Sequence, residues 1–222
     1  MKNTATNTAR LVVAGLRALL VLTLVTGVLY PLAVTGIAQA AFPHKANGSD
    51  IRDGDGRVVG SELIGQRYDL PLKKGQETPA PDLKWFQPRP SNGLGTNTVN
   101  TRYKLILSGA TNRSGDNAEL LTWVEDAKSA VVRDNSTATY KVEPEDVPAD
   151  AVTSSGSGLD PHISPEYATL QAHRVAERND LDVARVEQLV ADHTEERVLG
   201  FMGEPRVNVL KLNIALKELT RK

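Results

Sequence analysis

One stretch limits this chain more than any other. Ala18 to Phe42, ALLVLTLVTGVLYPLAVTGIAQAAF, contains no charged residue. As a helix rising about 1.5 Å per residue it exceeds the ~30 Å of bilayer hydrocarbon, so it is long enough to span a membrane. Lys2, Arg10 and Arg17 precede it with no acid, whereas Lys45 and Arg52 after it mix with Asp50, Asp53 and Asp55. The positive-inside rule then assigns residues 1–17 to a short cytoplasmic N-terminus, 18–42 to a transmembrane helix and 43–222 to an extracytoplasmic domain. Arg17, at the edge, can extend its aliphatic stem to the headgroups and marks the boundary. Gly27, Tyr30, Pro31 and Gly36 interrupt the aliphatic run. The proline frees a carbonyl that needs another partner, and Gly27, Ala33 and Gly36 permit close approach of a second helix. Ala38-Gln39-Ala40 imitates a cleavage site, which keeps an exported binding protein released by cleavage as the alternative. The apolar core of a signal peptide is only about 7–15 residues long, however, so a retained anchor is favoured.

The rest of the composition removes several functions. Of 222 residues, 26 are Lys or Arg and 27 are Asp or Glu, for a net charge of -1, so no global field draws nucleic acid. The chain has no cysteine, which excludes disulfides, thiolate chemistry and Cys-based zinc sites.

Residues after the apolar run have the pattern of an α+β domain, its strands and helices not in strict alternation. Asp53-Gly54-Asp55-Gly56 between Ile51 and Val58 is hairpin chemistry, and it lacks the further acids of a calcium loop. Residues 69 to 100, rich in Pro, Gly and Asn, form a loop pinned at Trp85-Phe86. Leu120, Val124, Ala127 and Val131 recur at helical spacing, with Ser114 or Asp116 as cap. An exposed connection, residues 134–151, leads to a short strand at Ala151 to Thr153. Ser164 as cap, Pro165 at the first helical position and Glu166 in the first turn start a helix that runs to about Arg178. Further helices follow at Val183 to His193, capped by Asp182, and at Val209 to Leu219, capped by Asn208. Between them RVLGFMGEPRVNV suggests one or two strands joined by Gly203-Glu204-Pro205.

The segment VTSSGSGLDPHISPE, Val152 to Glu166, is the natural place to look for chemistry. It lacks the Gly-Lys-Ser/Thr ending of a phosphate-binding P-loop and the glycine two places before a nucleophilic serine. Asp160 next to Pro161 suits a turn acceptor, and His162 a backbone anchor. His44, His162, His173 and His193 show no metal-binding spacing, so no metal site and no catalytic residue are expected.

Several motifs in order along nearly the whole chain resemble the C subunit of the Kdp potassium-transporting ATPase. They are TGVLYPLAVTGIAQ at Thr26 to Gln39, GSELIGQ at Gly60 to Gln66, RPS at Arg89 to Ser91, TSSGSGLDPHISPE, RVA at Arg174 to Ala176, and LGFMGEPRVNVLKLNIAL at Leu199 to Leu216. Two places depart from the family pattern. SGATNRSGDN retains only Ser108, Gly109, Asn112 and Asn117 of a usual Ser-Gly-Gly-Ser-Asn-Leu-Gly-Pro segment, and the segment before Arg89 is longer than usual. The resemblance implies a non-catalytic accessory subunit, single-pass in the cell membrane, that assembles with a potassium-channel-like subunit and a P-type ATPase subunit. It implies no cofactor of its own. The family's C subunit is described as a catalytic chaperone that raises the ATPase subunit's affinity for ATP, so ATP enters through the complex. A proposed nucleotide contact carries over to Gln171, with Ser155 and Ser157 in the loop before it. Gly156, Gly158, Asp160, Pro161, His162, Ser164 and Pro165 carry over as the signature loop, and Gly27, Tyr30, Pro31 and Gly36 as transmembrane packing positions. The charge flank places the domain outside, away from cytoplasmic ATP, and on that ground Gln171 is expected to be a polar residue on an exposed helix face.

Overall fold

A computed structural model describes residues 2–76, 78–91 and 108–221. The chain divides into two units, Met1–Ser49 and Asp50–Lys222.

The first unit is helical. Helix α1, Lys2–Leu24, continues through a π turn, Val25–Leu29, into α2, Tyr30–Ala41, and α3, Pro43–Ala46, follows. Residues Thr6–Ala41 form a helix long and apolar enough to cross a membrane, with a mean hydropathy of 2.3 in its most apolar window and none of that window buried within the chain. The helix thus begins well before Ala18, and both Arg10 and Arg17 ride on it. The π turn lies immediately before Pro31. There the Tyr30 N–H reaches back to Val25 O, and Thr26 Oγ1 donates to Leu22 O at 2.7 Å. One inserted residue widens the turn where the proline supplies no N–H, so the helix passes the proline without ending.

The second unit is the α+β domain. Strands β1, Asp50–Arg52, and β2, Val58–Ser61, pair antiparallel about the expected hairpin turn, with a bulge at Ile51/Arg52. Asp53 Oδ1 accepts the N–H groups of Asp55 and Arg57 at 3.1 and 3.0 Å, and Gly56 adopts φ +76°. Helix α4, Ala118–Asn135, starts one residue later than a cap at Asp116 implies and three later than one at Ser114. Asn117 caps it by accepting from Leu120 N–H at 3.0 Å, while Ser114 bonds to Asp116 instead.

The expected strand at Ala151–Thr153 is a helical turn. A 3-10 turn, Pro144–Asp146, precedes α5, Ala149–Val152, and Thr153 Oγ1 closes on Ala149 O at 2.7 Å. The strand of this region is β3, His162–Ile163. Helices α6, Pro165–Arg178, α7, Val183–Asp192, and α8, Val209–Thr220, start where the sequence puts them. Ser164, Asp182 and Asn208 cap them by accepting from Tyr167, Ala184 and Lys211 N–H. Strands β4, Thr194–Glu195, and β5, Arg206–Asn208, flank the tip of a hairpin. That tip turns at Leu199 and Gly200, not at Gly203-Glu204-Pro205.

A three-stranded antiparallel sheet has the order β3-β5-β4, with Ile163 and Thr194 both opposite Val207. Helix α6 packs on α7 and α4, and α7 on α8. The core between them comprises Phe86, Ile163, Tyr167, Val175, Val186, Val190, Val207, Leu212 and Leu216, all at most 4% exposed. Among the described residues of 69–100 only the isolated pair Asp69–Pro81 makes a β-bridge, and Phe86 is fully buried, as expected of a pinned loop.

Candidate functional site

The polar groups that the sequence singles out fall into two connected places. The first is the signature loop. Asp160 Oδ1 accepts from His162 N–H at 3.0 Å and meets His162 Nδ1 at 3.1 Å, while Asp160 Oδ2 lies 3.6 Å from Arg89. The hydrogen bond from His162, opposed by partial burial and helped by Arg89, holds the Asp160 carboxyl below its ordinary value. Arg89 also donates to the carbonyls of Thr153 and Ser154, at 3.3 and 3.4 Å. Gly65 N–H donates to Leu159 O at 2.8 Å, Gly109 N–H to Ser157 O at 2.9 Å, and Ser91 Oγ to Gly158 O. The loop is therefore a junction that ties residues 65, 89–91 and 108–109 to the start of α6.

Inside it, Ser155 Oγ accepts from Asp160 N–H at 3.4 Å and Ser157 Oγ from Leu159 N–H at 3.1 Å. Gly158 has φ +68°, and a Cβ there would stand 3.1 Å from Gly109 O. Any other residue at this position would be strained and would push against backbone. Gly156 is exposed, with open space where a Cβ would project. Pro161 O accepts from Val209 N–H at 3.0 Å, joining the loop to α8. Ser164 works twice. Its Oγ accepts from Tyr167 N–H at 3.0 Å and donates to Asp150 Oδ1 at 2.9 Å, and Asp150 Oδ2 receives Ser164 N–H at 2.7 Å.

The second place is buried. Gln171 is fully enclosed, which corrects the expectation of an exposed helix face. Its Oε1 accepts from Gln87 N–H at 2.7 Å and its Nε2 donates to Gln87 O at 3.1 Å. Asn213 on α8 does the same for Phe86, at 2.9 Å in both directions. Arg174, 2% exposed, donates to Gln171 Oε1 at 2.7 Å, to Asn135 Oδ1 at 2.8 Å, to Trp85 O at 3.0 Å and to Leu83 O. Desolvation pushes its pKa down to about 10. Together these side chains satisfy backbone groups of Leu83, Trp85, Phe86 and Gln87, a half-buried segment around the fully enclosed Phe86 that pairs with no strand.

Sequence reading missed Arg174, Asn135, Asn213 and Asp150 as organising residues. The available signal was register: Gln171 and Arg174 share a helix face with Tyr167, Ala168 and Val175, and Asn213 shares one with Val209, Leu212 and Leu216.

Two clefts border these places. One, of about 360 Å³, is lined by Arg67, Asp69, Arg89, Asp134, Gln171 and Arg174 among others. Its charges are matched inside the chain, with Arg67 against Asp69 at 3.3 Å and Asp134 against Arg133 at 2.9 Å. The other, of about 590 Å³, lies between the signature loop and α4, where Arg113 sits over the Trp123 ring at 4.6 Å and pairs with Glu119 at 2.7 Å. Of the histidines, His173 stacks on Tyr140 with ring centroids 3.8 Å apart, and His193 Nδ1 is 2.9 Å from Leu189 O. Among the described residues no three His, Asp or Glu side chains gather as a metal site would require. Gly27, Tyr30, Pro31 and Gly36 lie on the exposed apolar helix, where a Cβ added at Gly36 would meet nothing within 4 Å.

Comparison with known proteins agrees with this arrangement of motifs. Residues 12–218 match the family model described as KdpC, K+-transporting ATPase, c chain. The chain is 75% identical over 219 residues to a potassium-transporting ATPase KdpC subunit of Streptomyces avermitilis, covering 99% of this chain and 98% of the relative. It is 72% identical to the KdpC subunit of Streptomyces coelicolor, covering 99% and 97%, and 44% identical to that of Kineococcus radiotolerans, covering 96% and 95%. With the family model spanning nearly the whole chain and relatives matched end to end, this chain belongs to the KdpC family.

Proposed function

We propose that the chain is a non-catalytic, membrane-anchored accessory subunit of a potassium-transporting ATPase. It assembles with and stabilises a channel-like subunit and a P-type ATPase subunit, which carry the ion path and ATP hydrolysis. The family and the names of its relatives support the complex. The observation that carries the non-catalytic role is the use made of the polar side chains: Asp160, Ser164, Gln171, Arg174 and Asn213 all hold the chain's own backbone or one another. A nucleotide contact by Gln171 would require breaking its bonds to Gln87 and Arg174, so any effect on ATP affinity is exerted through the partner's conformational equilibrium. That mechanism works only if the subunit binds one state of the pump better than another.

The N-terminus faces the cytoplasm and the domain lies outside, as supported by Lys2, Arg10 and Arg17 without an acid among them. Protease added to intact spheroplasts should digest the domain while the ATPase subunit's cytoplasmic domain survives as internal control. A domain that resists until the membrane is breached would overturn the orientation and reopen direct contact with ATP.

A further inference from the structure

The hairpin tip between β4 and β5 carries apolar side chains that the described residues of the chain leave largely uncovered. Val198, Leu199, Phe201 and Met202 are 55%, 79%, 70% and 46% exposed. The tip nevertheless has a defined shape. Val198 and Met202 exchange backbone hydrogen bonds at 2.9 and 3.0 Å, Gly200 N–H donates to Arg197 O at 3.0 Å, and Arg197 meets Glu204 at 2.7 Å across the base. Leu199 stands at φ +55°, in the left-handed region that residues with large side chains rarely enter. An unfavourable backbone conformation thus presents the most exposed apolar side chain of the tip.

Charge separates the two kinds of apolar surface that could receive it. A membrane-seeking wedge carries free Lys or Arg for anionic headgroups and Trp or Tyr at the interface. Here Arg197 is closed by Glu204, Arg206 lies 3.1 Å from Glu195, and Lys211 lies between Glu195 and Glu62 at 3.4 and 3.0 Å. Glu196 adds a further acid and the tip holds no Trp or Tyr, so the hairpin is poorly matched to an anionic bilayer. Phe and Met on a preformed turn suit instead a concave, uncharged protein surface that can desolvate them. Four side chains alone fall well short of the roughly 800 Å² per partner of a stable interface. Such a knob is useful where a tether already supplies a high effective concentration, and the apolar N-terminal helix of this chain is such a tether.

We propose that residues 197–204 form a docking knob that seats Leu199 and Phe201 in an uncharged apolar pocket of another subunit in the same membrane complex. The proposal rests on the reading of the chain as a subunit. Its test uses the full chain co-expressed with its partner subunits, with photoreactive benzoylphenylalanine in place of Phe201. Irradiation should give an adduct with another subunit, whereas adducts to lipid alone, to a second copy of this chain, or none at all would overturn the knob. In parallel, Leu199→Asn combined with Phe201→Ser should weaken co-purification in detergent by about tenfold or more while leaving the chain's own Tm unchanged, since neither side chain is buried. Undiminished co-purification of that variant sinks the knob alone. Failure of the unaltered chain to bring down any other subunit sinks the subunit reading along with it.

Discussion

Gln171 and Asn213 do with side-chain amides what a neighbouring strand does with backbone. Each offers one acceptor and one donor to a single residue of the 83–87 segment, and Arg174 takes up the carbonyls of Leu83 and Trp85. Replacing Gln171 by leucine keeps most of the volume but strands Gln87 N–H and C=O and one Arg174 donor in the core. Unsatisfied buried groups cost about 1–3 kcal/mol each, so Gln171→Leu should lower stability by on the order of 3 kcal/mol, or roughly 10 °C in Tm. The KM for ATP of complexes that do assemble should stay unchanged. A raised KM with an unchanged Tm would mean that the side chain serves nucleotide rather than backbone. The register of Gln171 with buried apolar residues was visible in the sequence, but its partner was not, because Gln87 lies 84 positions away in a loop without periodicity.

At the level of elements, start signals were the most legible feature. Ser164-Pro165, Asp182 and Asn208 begin α6, α7 and α8 where local chemistry says they should, because capping depends on residues only two or three positions away. The strand expected at Ala151–Thr153 failed because strands this short are selected by a partner, and the partner β5 pairs with His162–Ile163 instead. Ser164 joins α5 to α6 through Asp150 as well as capping α6. Ser164→Ala should therefore cost about 1–2 kcal/mol, at the upper end for a cap. The measurement is urea unfolding, with a lower midpoint and an unchanged m-value expected. In a double-mutant cycle Asp150→Ala and Ser164→Ala should be non-additive, since the two side chains share one interaction; full additivity would mean that Asp150 and Ser164 act independently.

Across the whole molecule, acids tie distant pieces together. Asp160 joins the signature loop to Arg89, Asp55 joins the β1–β2 turn to Arg221 at 2.9 Å, and Glu195 joins β4 to Arg206 and Lys211. All three carboxyls are held below their ordinary values. Asp160 is lowered chiefly by its hydrogen bond from His162 and Asp55 by its hydrogen bond from Arg221, while for Glu195 the hydrogen bonds and charges of Arg206 and Lys211 outweigh desolvation. A depressed acid contributes stability that is fully present above the ordinary carboxylate value and is lost as pH falls through the folded-state value. Thermal stability should accordingly hold at neutral pH and decline below about pH 4. Asp160→Asn should lower Tm at pH 7 and converge on the unaltered protein in strong acid; a constant difference across that range would show that the Asp160 charge contributes nothing.

What the sequence determined by itself is whatever is local or periodic: the long apolar helix, the Asp-Gly hairpin, three helix starts and the order of motifs that places the chain in its family. Each depends on neighbours within a turn or a strand, or on the length of an apolar run. Tertiary structure decided where β3 lies, that Gln171 faces inward, and that the Ser-Gly-Ser loop is a junction joining residues 65, 91 and 109. Those outcomes follow from the need of buried backbone groups for partners, and the partners come from segments far apart in the chain.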